Sequence, residues 1–136
     1  MNELQRVAAS GPHGSRPVPA VLAIAEASVS IAEALATAPI RGALGAAGEI
    51  NVQGEVQQKM DVIADKFVEH ALRQHQAIAA MGSEEREHLV SLHWDGDLVV
   101  LVDPLDGSSN LDVNGAVGTI FLVVARPDEG KLSDQD

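Results

Sequence analysis

The sequence predicts an α/β protein in which helices pack on a sheet, and three observations predict it. Two stretches place apolar residues at intervals of three and four, the period of a helix with one buried face. Two other stretches are runs of consecutive β-forming aliphatics, the pattern of a buried strand. The core is almost purely aliphatic: the 136 residues include two Phe, one Trp and no Tyr, and Val, Leu, Ile and Ala suit helix-on-sheet layers.

Residues 1–17 contain GPHGSRP and read as a flexible leader. Val21, Ile24, Ala25, Ser28, Ala32 and Leu35 then share one helical face, and Ala38-Pro39 is expected to end that helix. IRGALGAAGEINVQG, residues 40–54, holds four glycines among small side chains and reads as a mobile loop. Met60, Ile63, Ala64, Phe67, Val68, Ala71 and Leu72 mark a second amphipathic helix with Asp61, Asp65 and Glu69 on another face. Asp61 falls in its expected first turn, where the helix dipole favours a carboxylate.

AIAAM, residues 77–81, is a short candidate strand followed by the acidic SEEREH. DLVVLVD, 97–103, has five consecutive apolar β-formers and reads as a buried central strand, and GAVGTIFLVVA, 115–125, reads as another. RPDEGKLSDQD, 126–136, is a polar tail with nothing to pack, so the packed domain is expected over 18–125.

A formal net charge of −11 argues against nucleic acid and anionic membrane as partners, because binding polyanions needs clustered Lys and Arg. Divalent cations would still let such a chain bind a phosphorylated substrate. With no cysteine there is no disulfide, thiolate metal site or cysteine nucleophile, in keeping with a reducing compartment. Arg6, Arg16 and the apolar run after them loosely mimic a secretory signal, but the helical pattern continues past the cleavage point such a signal would need. No run is expected to span a membrane.

VDPLDGSSNLD, residues 102–112, carries the most chemistry. Proline fixes its own φ and pushes Asp103 into an extended conformation, so Asp103, Asp106 and the Leu105 carbonyl can converge at a strand end, where open α/β sheets place ligands. Such hard oxygens suit Mg²⁺ or Mn²⁺. Gly107, Ser108, Ser109 and Asn110 offer N–H groups and hydroxyls for a phosphate. Taken alone, the stretch reads equally as a turn with a helix cap. Glu84, Glu85, Glu55 and Asp61 have plain solvated or capping roles unless they converge on Asp103. No histidine pair has a metal-binding spacing, and none is marked as a base for Ser108.

NVQGEVQQKMDV (51–62), SEE (83–85), DPLDGSSNLDVN (103–114) and VGTIF (117–121), in this order, resemble class 1 fructose-1,6-bisphosphatase over about residues 50–124. The acidic core is shared with the wider lithium-sensitive sugar and inositol phosphatases. The resemblance implies the N-terminal half of a sugar-phosphatase type layered α/β fold. It implies Mg²⁺-dependent hydrolysis of the 1-phosphate of fructose 1,6-bisphosphate, in gluconeogenesis or the Calvin cycle. Glu84, Asp103, Asp106 and the Leu105 carbonyl would be metal ligands. Asp61 and Glu85 would orient and deprotonate the attacking water, and Glu55 stands where the family often has an aspartate. Asp106, Gly107, Ser108 and Ser109 would hold the phosphate. The family also implies a cytoplasmic homotetramer.

The family's second half, with a further metal-binding glutamate and the sugar-binding residues, has no counterpart here. Weak Mg²⁺ binding, poor selectivity and uncovered apolar strand faces are therefore expected. Sedoheptulose-bisphosphatase or inositol-phosphatase activity is the neighbouring alternative. A non-catalytic remnant that binds a subunit or partner is the alternative of another class.

Overall fold

The computed structural model describes residues 6, 16–42, 50–113 and 115–126, with the backbone alone at 38–42, 50–56 and 112–113. Helix α1 (Val18–Gly42) buries Ala20, Ala23, Ile24, Ala27 and Ile31. These alanines, at helical spacing, let α2 (Ile50–Arg73) approach closely with its own stripe of Met60, Ala64, Val68 and Ala71. The second helix packs on β1 (Ile78–Ser83) and β3 (Leu98–Asp106), so Ile78, Met81, Val100 and Val102 complete one core.

With β2 (Val90–Ser91) and β4 (Gly118–Ala125), the sheet has, among the described residues, four strands in the order β2-β1-β3-β4. β1 and β3 run parallel, while β2 and β4 are antiparallel to their neighbours. The α/β class and the central position of β3 agree with the sequence reading.

The helix boundaries differ from it. Pro39 does not end α1, whose backbone stays helical to Gly42, although the ring removes one N–H donor and crowds the carbonyl one turn before it. The second helix begins at Ile50, so Gly54 lies inside it at the modest cost of about 1 kcal/mol against alanine. Residues 50–54 are therefore not loop, and Asp61 sits mid-helix, where its position along the side of α2 matters and the end dipole does not. Residues 43–49, most of the leader and the tail from 127 onward lie outside the described residues.

Three further differences concern exposure. Val18–Thr37 is long and apolar enough to cross a membrane by length and composition, with mean hydropathy 1.7, contrary to expectation. In this fold its alanine and isoleucine stripe is buried against α2. β4 is a strand as expected, but an edge strand, with Ile120 59% and Leu122 56% exposed. Arg126 belongs to the packed structure and not to a tail: its N–H donates to the Asp97 carbonyl at 2.7 Å and its Nη1 to the Trp94 carbonyl at 2.5 Å.

Candidate metal and phosphate site

Because β1 and β3 are parallel, their carboxyl ends lie side by side, with Ser83 opposite Val102. The Glu84 N–H donates to the Val102 carbonyl at 3.0 Å, which sets Glu84 beside Asp103. A tight turn follows. The Arg86 N–H bonds the Ser83 carbonyl at 3.1 Å, and the Ser83 hydroxyl accepts from the Glu85 N–H at 3.3 Å.

β3 runs on through Pro104, which is buried along with Leu105. Against β4 the register shifts, since Asp103 faces Ile120 whereas Asp106 faces Gly118. Three steps on β3 thus match two on β4. Residues i and i+3 of a regular strand point to opposite faces, and the extra residue turns Asp106 back toward the side of Asp103. The Leu105 N–H caps Asp103 Oδ1 at 3.2 Å, and Thr119 Oγ1 ties the Pro104 carbonyl at 3.0 Å.

Gly107 then takes φ +79°, a left-handed conformation open to glycine at little cost. That reversal starts a 3₁₀ turn over Ser108–Val113, closed by the Asn110 N–H on the Gly107 carbonyl at 2.8 Å. Gln57 and Asp61, one helical turn apart on α2, both face Ser108: Gln57 Nε2 donates to Ser108 Oγ at 3.2 Å, and the Asp61 carboxyl lies near the same hydroxyl.

Three separate segments therefore bring Asp61, Glu84, Glu85, Asp103 and Asp106 together, and the crowding raises Asp61, Glu85 and Asp103. Asp61 is raised above the usual carboxylate range, first by burial and then by the charges of Glu84 and Asp103, with the Ser108 hydrogen bond opposing. Asp103 is raised by burial and by Glu84 and Asp106, with the Leu105 N–H opposing. Glu85, although exposed as a residue, is pushed up to about 7 by lost hydration at its carboxyl, then by the Asp61 and Glu84 charges. Glu55 lies on the α2 backbone, but its side chain is outside the described residues.

As the side chains stand, no three His, Asp or Glu among the described residues surround one point closely enough to hold a metal ion. The residues nevertheless fit a hard divalent cation: the donors are all oxygens, and Asp61 Oδ1 is buried with no hydrogen-bond partner. A cleft of about 520 Å³ opens beside Glu84 and Asp103, lined also by Leu89, Leu101 and Phe121.

A family model described as Fructose-1-6-bisphosphatase, N-terminal domain, matches residues 13–136. The chain belongs to this family. It is 44% identical over 112 residues to the class 1 fructose-1,6-bisphosphatase of Shewanella loihica, covering 82% of this chain and 34% of that protein. It is 44% identical over 115 residues to the one of Neisseria gonorrhoeae, covering 85% and 35%. The fold is similar to Leishmania major fructose-1,6-bisphosphatase in holo form, with TM-score 0.77 at 28% identity, covering 98% of this chain and 40% of that one. The chain thus spans about a third of the length of the curated relatives it matches.

Sequence reasoning missed Gln57 and Arg86. Gln57 was legible in part, since it lies four residues before Asp61 and so on the same helical face. Arg86 gave no signal beyond following the SEE motif.

Proposed function

We propose that the chain is the metal- and phosphate-binding part of a fructose-1,6-bisphosphatase and serves the Mg²⁺-dependent hydrolysis of the 1-phosphate of fructose 1,6-bisphosphate. Mn²⁺ is an alternative cation. One observation carries the reading: carboxylates from α2, from the turn after β1 and from the end of β3 crowd together beside a glycine-serine turn held by Gln57.

Glu84, Asp103, Asp106 and the Leu105 carbonyl would hold the cation. When bound, it would neutralise phosphate charge, the principal need of phosphoryl transfer. Asp61 and Glu85 orient the attacking water and take its proton. A carboxyl held at about 7 is a far better base near neutrality than an ordinary glutamate. Ser108, Ser109 and the backbone after Asp106 receive the phosphate, with Gln57 fixing the Ser108 hydroxyl. The setting of this reading is a cytoplasmic sugar-phosphate enzyme of the family's homo-oligomeric kind.

Phosphate release from fructose 1,6-bisphosphate with Mg²⁺ tests the reading, with sedoheptulose 1,7-bisphosphate and an inositol phosphate as competing substrates. Cation-dependent release abolished by Asp103→Asn is expected. Release indifferent to that substitution would sink the assignment. A second reading, a non-catalytic chain that binds a subunit, is favoured by the open apolar faces of β4. It predicts no release with any of these substrates.

A further inference from the structure

The acidic band on α2 extends past the residues assigned above. Asp61, Asp65 and Glu69 recur every four residues, and Asp65 is only 5% exposed. A buried carboxylate without a counter-charge is costly. Here the counter-charge comes from the turn that carries Glu84 and Glu85. Arg86 Nε donates to Asp65 Oδ2 at 2.6 Å and its Nη2 to Glu69 Oε2 at 2.6 Å. Arg73 Nη2 holds the other Glu69 oxygen at 2.6 Å. Two of the three α2 carboxylates are thereby neutralised within the chain, whereas Asp61, nearest Ser108, has no cationic partner among the described residues.

We propose that Arg86 is a positioning residue for the metal site: it clamps the Glu84–Glu85 turn onto α2 and, by occupying Asp65 and Glu69, confines divalent cations to the Asp61, Glu84 and Asp103 end of the band. The inference rests on the metal-site reading above. Two features of the geometry support it. The guanidinium spans one helical turn of α2, so it fixes the turn along the helix axis as well as against it. Its own N–H also closes the turn on Ser83, so displacing the side chain loosens the backbone that aims Glu84 at Asp103.

The test is Mn²⁺ binding to the whole chain, followed by the electron paramagnetic resonance of free Mn²⁺, for wild type, Arg86→Met, Arg86→Lys and the double variant D65N/E69Q. Circular dichroism and urea unfolding report folding for each. Folded Arg86→Met is expected to lose roughly ten- to a hundredfold in Mn²⁺ affinity, as for residues that orient ligands, and to gain weak extra binding at the freed Asp65 and Glu69. Arg86→Lys should recover part of the affinity, because a single ammonium cannot bridge both carboxylates. If Arg86→Met does not fold, D65N/E69Q serves instead: its released guanidinium would compete for Asp61 and Glu85, and Mn²⁺ affinity should fall. Wild-type affinity and stoichiometry in either folded variant would overturn the inference. No Mn²⁺ binding by wild type would overturn the metal-site reading itself.

Discussion

Replacing Gly107 by alanine should damage the glycine-serine turn far more than its small size suggests. At φ +79° an L side chain pays about 1–2 kcal/mol of backbone strain. The new Cβ would also stand 3.1 Å from the Ala116 carbonyl oxygen and 3.3 Å from the Asn110 amide nitrogen. Those two groups are hydrogen-bonded to each other at 3.3 Å, so relieving the crowding endangers that bond, worth about 1 kcal/mol. The expected loss is about 2–3 kcal/mol in urea unfolding. Gly118→Ala is the control, since a Cβ there meets nothing within 4 Å and should stabilise slightly, by about 0.4–1 kcal/mol, through lost unfolded-state entropy. Gly107→Ala should also weaken phosphate retention, because Ser108 would leave Gln57. Equal stabilities for the two variants would refute the reasoning.

Other consequences follow from the same geometry. In cation-free buffer the chain should lose stability as pH rises from 5 to 8. The folded Glu85 carboxyl at about 7 lies above its unfolded value of 4.5, so its contribution is complete below 4.5 and gone above about 7. The full shift would be worth about 3 kcal/mol, and screening at an exposed residue reduces it to about 1 kcal/mol. Glu85→Gln should flatten the profile of melting temperature against pH, and an unchanged slope would remove Glu85 as its source. Gln57→Leu should raise KM for the bisphosphate several-fold with little change in melting temperature, and an unaltered KM would strip Gln57 of its role. The exposed Ile120 and Leu122 of β4 should drive concentration-dependent association that Ile120→Lys with Leu122→Lys abolishes. A wild-type chain that sediments as monomer at every concentration would contradict this.

The acidic motif was readable because its constraints are local. Proline fixes the chain before Leu105, and the small residues after Asp106 announce the turn, so the strand end and its turn could be placed from neighbours alone, while their reading as a site came from the family resemblance. The start of α2 was not readable: Asn51, Val52 and Gly54 have weak helix propensity, and packing of Met60, Ala64 and Val68 in the core overrides it. The register shift that reorients Asp106 depends on β4, and the Gln57–Ser108 and Arg86–Asp65 contacts join residues 51 and 21 apart. Such pairings exist only once α2 lies against the sheet. The apolar run of β4 likewise could not reveal that this strand would stand at the edge of the sheet.

The site stands or falls on whether a divalent cation is held between Glu84, Asp103 and Asp106. Anomalous diffraction from crystals of the chain soaked in Mn²⁺ locates the ion directly. The account predicts a peak bounded by those three carboxylates and within reach of Asp61, and absent in Asp103→Asn. A peak elsewhere on the acidic surface, or one that survives the substitution, would contradict it.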